Sequence, residues 1–138
     1  MHYQVDLDPT HTVIRLTVIE ETVSLECAES CYQGLSRLTS SGGPYAAIFD
    51  LTRARNTSIP TDLVRGFARR KPSIPTGRRH VVVGQFPMVY GLARLFQMCG
   101  ESVGKEFEVV HKLEEAYEMV EVRPEDFTEC VFTTDLAA

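Results

Sequence analysis

Hydrophobic and polar positions change period several times along this chain, and each change marks an element. Residues 3–7 and 12–19 are β-rich and are separated by Asp8-Pro9-Thr10-His11, a turn-forming run, so together they predict an antiparallel hairpin. Val13, Ile14, Leu16, Val18 and Ile19 make one face of the second segment apolar and leave the other mixed. Thr22 or Ser24 then opens a helix, with Glu26 and Glu29 in the early turns, where the macrodipole favours acids. Ala28, Cys31, Leu35 and Leu38 recur at helical spacing as a core-facing stripe, and Ser40-Ser41-Gly42-Gly43-Pro44 supplies the stop.

Residues 45–51 form a short apolar run bounded by turn residues, which predicts a strand covered on both faces. Thr61 or Asp62 caps a helix to about residue 70, with Leu63, Val64, Phe67 and Ala68 as its apolar side. Pro72 and Pro75 stiffen the connector that follows. A second buried strand spans 80–84, and Pro87 starts a long amphipathic helix to about residue 103, carrying Val89, Leu92, Ala93, Phe96 and Cys99. A strand at 107–111 and a helix at 112–120 follow, the latter with Leu113, Ala116, Tyr117 and Val120 inward. Phe127, Val131 and Phe132 imply that part of the remaining tail packs down. This order predicts an α/β fold: a mixed, largely parallel sheet of four to five strands, with an N-terminal antiparallel hairpin and about four helices. A single domain over residues 1–122 and a partly packed tail over 123–138 complete the expectation.

Composition agrees with a single core, because 138 residues with 43% hydrophobic and 24% charged side chains suit one globular domain. Disorder, collagen and coiled coil are excluded on the same grounds. Apolar runs are far short of the roughly 20 residues that cross a bilayer, and no basic-then-apolar leader opens the chain, so a cytoplasmic protein without membrane insertion is expected. Cysteines at 27, 31, 99 and 130 contain no Cys-x-x-Cys. Cys27 and Cys31 share a helix face at four-residue spacing, which suits half a soft-metal site but is commoner for packed core thiols. Histidines 2, 11, 80 and 111 form no His-x-x-x-His pair, so neither a metal nor another cofactor is expected.

Charge placement says more than the net −5. Residues 53–79 hold eight basic side chains against Asp62, whereas residues 101–135 hold eleven acids against Lys105, Lys112 and Arg123. Arg53, Arg55, Arg65, Arg69, Arg70, Arg78 and Arg79 are therefore candidates for binding an anion or a partner protein. A plainer account is a solvated helix face that pairs with the acidic helix of the same molecule or of a second copy, as in a homodimer. Overall acidity argues against nucleic acid as the partner.

Ligands of open α/β sheets gather beyond the C-terminal ends of parallel strands, where Asp50, Gln85 and His111 fall. An Asp50–His111 pair suits proton transfer, but no nucleophile, phosphate loop or hydrolase motif accompanies it, and a non-enzymatic role is expected. The loop after the first buried strand places Thr57, Ser58 and Thr61 near a helix start among arginines. These are candidate phosphate-binding or phospho-acceptor hydroxyls, with capping and turning the chain as the simpler role.

The hairpin-helix start, Ala47-Ile48-Phe49-Asp50-Leu51-Thr52, Arg79-His80-Val81-Val82-Val83, Tyr90-Gly91-Leu92-Ala93-Arg94-Leu95-Phe96 and Leu113-Glu114-Glu115-Ala116 carry a family likeness. Over residues 1–122 the chain resembles the STAS and SEC14-like superfamily, and within it the small bacterial proteins related to anti-sigma factor antagonists. That resemblance implies a regulatory domain that binds a protein partner, here through the 50–79 surface. Antagonists of this kind are switched by phosphorylation within an Asp-Ser-Ser-Gly-like motif. The matching stretch, Asn56-Thr57-Ser58-Ile59-Pro60-Thr61, lacks the Asp-Ser pair and the Gly, leaving Ser58 as a positional candidate. The SEC14 side of the resemblance implies instead a carrier for a small apolar or anionic ligand, with a cavity lined by residues such as Phe49, Phe67, Tyr90 and Phe96.

Overall fold

A computed structural model describes residues 2–10, 12–40, 44–75, 77–101, 104 and 106–129. Cys130, Val131, Phe132, His11 and the glycines at 42 and 43 lie outside the described residues. Two strands, β1 (Tyr3–Leu7) and β2 (Val13–Val18), pair antiparallel with Asp6 opposite Arg15. Their turn is organised by the Asp8 carboxylate, whose Oδ1 accepts the backbone N–H groups of Thr12 and Val13, each at 2.9 Å.

After a two-residue strand, β3 (Thr22–Val23), helix α1 (Leu25–Leu38) starts at Ser24, whose hydroxyl accepts the Cys27 N–H. The central strand β4 (Ala46–Asp50), the short β5 (Asn56–Thr57) and helix α2 (Thr61–Ala68) follow. Then come β6 (His80–Val83), α3 (Pro87–Glu101), β7 (Glu108–Val110) and α4 (Leu113–Val120). A 3-10 turn (Pro124–Asp126) leads into β8 (Thr128–Glu129).

The main sheet has six strands in the order β7-β6-β4-β2-β1-β8, and β3 pairs with β5 in a separate two-stranded ribbon. Strands β2, β4, β6 and β7 run parallel, while β1 and β8 are antiparallel to their neighbours. Four helices and a mixed sheet agree with the expected class, but the strand count exceeds the expected four to five. The sixth strand is β8, a two-residue segment too short to display a period and recruited from the tail.

Alternation along the strands divides the core in two. Val13, Ala46, Ile48, Val81, Val83 and Val110 face α4 and pack with Ala116, Tyr117 and Phe127. Tyr3, Val5, Ile14, Leu16, Val18 and Ala47 face the opposite side with Cys27, Leu35 and Ile74.

These two layers are built differently. Helix α4 approaches β4, β6 and β7 closely, whereas α2 packs chiefly on α3, and at most isolated Cα pairs bring α1 within 8 Å of any strand. The backbones of α1 and α2 thus stand off from the sheet.

Two details of α2 depart from the expected pattern. Its N-cap is Pro60 in extended backbone with no side-chain cap, so Thr61 and Asp62 lie inside the first turn, and the helix ends at Ala68. With Val64 and Ala68 turned inward, Leu63 is left 43% exposed. The helix is too short for a wide apolar stripe, and its inward row follows the four-residue spacing of Val64 and Ala68.

Candidate functional site

The gap between the sheet and the stand-off helices is a cavity of about 230 Å³. Leu16 of β2, Phe49 of β4 and Val82 of β6 form its floor, and α1 contributes Cys27, Cys31 and Leu35. Phe67 of α2 and Phe96 of α3 meet across its roof with ring centres 5.7 Å apart, and Phe107 continues that row 6.0 Å from Phe96. One end is closed by Val23, Leu51, Ile59 and Leu92, around the β3–β5 ribbon. Three of the four aromatic residues expected to line such a cavity do so. Tyr90 does not: its ring stacks on His111 at 3.8 Å.

The other end of the cavity meets a polar recess. His80, Glu106 and Phe107 line both, and Gly77, Arg78, Arg79, Gly104 and Glu108 complete the recess. His80 Nε2 donates to the Tyr45 carbonyl, 2.9 Å away. Burial lowers its pKa, with that hydrogen bond acting in the opposite sense, so the ring is neutral at ordinary pH. Arg78 donates to the Thr12 carbonyl at 3.1 Å, and Arg79 lies 3.8 Å from Glu108. This recess is at the N-terminal ends of β6 and β7, opposite to the strand ends from which the sequence led one to expect a site.

At those C-terminal ends the expected residues have separate partners. Asp50 is buried and accepts both the N–H (2.9 Å) and the hydroxyl (2.6 Å) of Thr52, which closes the strand exit. His111 lies beyond β7, two strands from Asp50 and so roughly 10 Å away at ordinary strand spacing. Gln85 is exposed. The structure therefore does not bring Asp50 to His111, whereas Gln85 and His111 follow the paired strands β6 and β7 at the same end, where the Gly84 N–H donates to the Val110 carbonyl at 3.0 Å.

The loop hydroxyls are mostly structural in their bonding. Thr57 donates to the Val23 carbonyl at 2.9 Å and accepts the Ile59 N–H at 3.2 Å, locking β5 to β3. Ser58 is exposed and binds Val23 through its backbone N–H; Thr61 is exposed in the first turn of α2.

Arginines contiguous in sequence separate in space, because residues 53–79 leave one end of the sheet and return at the other. Arg53 and Arg55 follow β4, Arg65, Arg69 and Arg70 ride on or just past α2, and Arg78 and Arg79 precede β6. Arg55 pairs with Glu21 at 3.2 Å and lies over Phe86, and Arg70 pairs with Glu29. Arg53, Arg65 and Arg69 are exposed and make no ion pair among the described residues.

Metal-ligating side chains also converge where spacing gave no sign. His2, Glu20 and Cys27, from three separate segments, offer ligand atoms all within 4.8 Å of one another. Motif spacing registers ligands on one element, so this cluster was invisible to it; the Cys27–Cys31 pair was its one legible part. A hydrogen bond from Cys31 holds the Cys27 thiol below its ordinary range, against burial and the Glu20 carboxylate. The same bond, with burial, pushes the Cys31 thiol far up, so Cys31 is no nucleophile at neutral pH.

No helix among the described residues is long and apolar enough to cross a membrane. Comparison with protein-family models, curated proteins and solved structures finds no match to the chain.

Proposed function

We propose that this protein is a non-enzymatic carrier that holds a small, largely apolar molecule in the cavity and presents its polar, acidic end to the Arg78–Arg79 recess. The observation that carries the reading is the continuity of the two spaces through His80, Glu106 and Phe107. The cavity lining is almost wholly apolar, so an apolar chain that fills it removes that surface from water. The cavity is about half as large again as the ~150 Å³ void that accepts benzene, giving room for roughly nine or ten carbon atoms. Glu106 and Glu108 balance the formal charge of Arg78 and Arg79 at the recess, and Arg79 faces Glu108, so an acidic group is recognised there by directed guanidinium hydrogen bonds, chiefly from Arg78, and not by net positive charge. The SEC14-like resemblance of the sequence supports the same reading.

The test is binding of straight-chain alkanoates of about six to twelve carbons, followed by displacement of anilinonaphthalene sulfonate, together with native mass spectrometry of gently purified protein. Saturable one-to-one binding that weakens in R78A/R79A is the expected result. A bare protein mass and no saturable binding at any chain length would refute the carrier.

A second reading rests on a different observation. Leu63, Arg65 and Arg69 are exposed on α2, and neither arginine has an ion pair among the described residues. Arg65 and Arg69 are one turn apart on the side of α2 away from Leu63, and two exposed cations on one stripe suit an acidic protein partner, as the STAS resemblance implies. Charge reversal at Arg65 and Arg69 should then abolish partner capture and leave ligand binding unchanged.

A further inference from the structure

We infer that His2, Glu20 and Cys27 bind a zinc ion. The three residues come from the start of β1, the end of the β2 segment and the first turn of α1, and the fold alone brings them together. Their ligand atoms (an imidazole nitrogen, a carboxylate oxygen and a thiol sulfur) lie within 4.8 Å of one another, and His2 Nδ1 is in contact with Glu20 Oε1. Around a tetrahedral ion with bonds of about 2.0–2.3 Å, such atoms sit roughly 3.3–3.7 Å apart. Small side-chain rotations are therefore enough to close the site.

Donor chemistry selects the ion. Thiolate and imidazole favour zinc over magnesium or calcium, which take oxygen ligands. Once the Cys27 thiol gives up its proton on binding, Glu20 and Cys27 together carry two negative charges, which one dication neutralises.

The surroundings are arranged as a metal site requires. The other ring nitrogen of His2, Nε2, lies 3.8 Å from the exposed Glu26 carboxylate, which is one small rotation from the hydrogen bond that orients a metal-bound imidazole. Among the described residues Glu20 has no lysine or arginine partner and contacts His2. Cys27 is wholly buried while His2 and Glu20 are partly exposed at 27% and 35%, so the ion has a route in from solvent and a dry inner side. Three protein ligands leave a fourth position for water or for a ligand donor atom. Cys27 also lines the cavity, whereas His2 and Glu20 do not; the zinc proposal stands or falls independently of the carrier reading.

The experiment uses untagged, chelator-stripped protein titrated with Zn²⁺ against a chromophoric competitor, and with Co²⁺ followed by absorption. One equivalent of zinc should bind, and cobalt should give thiolate charge-transfer bands with the intense d–d absorption of a tetrahedral site. H2A and E20Q, both at partly exposed positions where folding is not at stake, should each weaken binding by about a hundredfold or more. E26Q should weaken it by about tenfold, and C99S should leave it unchanged. C27S should abolish the charge-transfer bands. Failure to bind one equivalent in competition, affinity unchanged in H2A and E20Q, or a cobalt spectrum without thiolate bands would overturn the proposal.

Discussion

The guanidinium carbon of Arg70 stands 4.0 Å from the centre of the Tyr32 ring, so the C-terminal end of α2 is clasped to α1 across the cavity. The same guanidinium donates to Glu29 at 2.5 Å, the Tyr32 hydroxyl donates to the Lys71 carbonyl, and Tyr32 meets Phe67 edge-on at 5.7 Å. Since α2 rests mainly on α3 and not on the sheet, this clasp is what joins the outer edge of α2 to the rest of the fold. Arg70 and Glu29 side chains are each 37% exposed, so their pairing is screened. R70A should cost only about 1 kcal/mol from ion pair and ring contact together. Its larger effect should be kinetic: faster release of a bound alkanoate than in R69A, measured by stopped-flow displacement. Equal release rates in the two variants would show that α2 does not gate the cavity.

Ala93 lines the cavity from α3 and is 5% exposed. In a well-packed core, A93F would overpack and cost about 1–3 kcal/mol. Beside an unfilled void the added ring has somewhere to go, so A93F should leave the melting temperature unchanged or raise it. It should also abolish alkanoate binding. A large loss of stability would mean that the space is not available to a ligand.

Gly34 in the middle of α1 has a different reason for being small. A Cβ built there would fall 1.9 Å from the Tyr3 hydroxyl oxygen, and Tyr3 is buried in β1. Alanine would gain about 1 kcal/mol of helix propensity, but displacing a buried tyrosine costs about 1–3 kcal/mol. G34A should therefore be destabilised by about 1 kcal/mol in urea unfolding, and G34A/Y3F should recover only part of that loss, because the hydroxyl is gone but the ring carbon Cζ still stands 2.8 Å from the added Cβ. A G34A variant more stable than the parent would show that Tyr3 has room to move.

Much of this fold was legible because long elements repeat their hydrophobic period several times. Strands β1, β2, β4 and β6 and helices α1, α3 and α4 fall close to where alternation and helical spacing placed them. Strands β3, β5 and β8 have two residues each, which is too few to express a period, and tertiary pairing alone defines them. The cavity was foreshadowed by Phe49, Phe67 and Phe96, yet its existence depends on how far α1 and α2 stand from the sheet, a distance no local pattern encodes. The distribution of the basic residues is not legible for the converse reason: neighbours in sequence need not be neighbours in space, and the chain between Arg55 and Arg78 passes from one end of the sheet to the other.

Asp8 makes stability depend on acid. Burial raises its pKa, but the Thr10 hydroxyl and the Val13 and Thr12 N–H groups outweigh that and hold the folded value below the ordinary 3.8. A depressed carboxyl contributes stability above its unfolded pKa, and the contribution is lost as pH falls through the folded value. D8A should lower stability at neutral pH by about 1–3 kcal/mol, as expected for charge-assisted bonds left unmade. The deficit relative to the parent should begin to shrink as pH falls through about 4, the pKa of the unfolded carboxyl, and disappear below the lower folded value. Urea midpoints between neutrality and strong acid test this; a deficit constant across that range would assign the effect to packing of the turn.

Arg15 and Asp6 are the buried counterpart of the surface pairs. They face each other across β1 and β2, with Arg15 Nε and Nη2 at 3.1 and 2.8 Å from one Asp6 oxygen. Arg15 Nη1 also donates to the Tyr117 hydroxyl at 2.8 Å, and the guanidinium carbon lies 4.6 Å from the centre of the Phe127 ring. One guanidinium thus ties the hairpin to α4 and to the segment leading into β8. Asp6 is only 2% exposed, so R15L strands a carboxylate without a cation and should cost about 3–5 kcal/mol. The double variant D6V/R15L removes both charges and should recover most of this, because apolar replacements of buried pairs are often near neutral. A double-mutant cycle in urea measures the coupling. If R15L alone costs less than about 1 kcal/mol, the scale of a surface pair, water reaches Asp6 and the arginine is not what holds the C-terminal segment to the sheet.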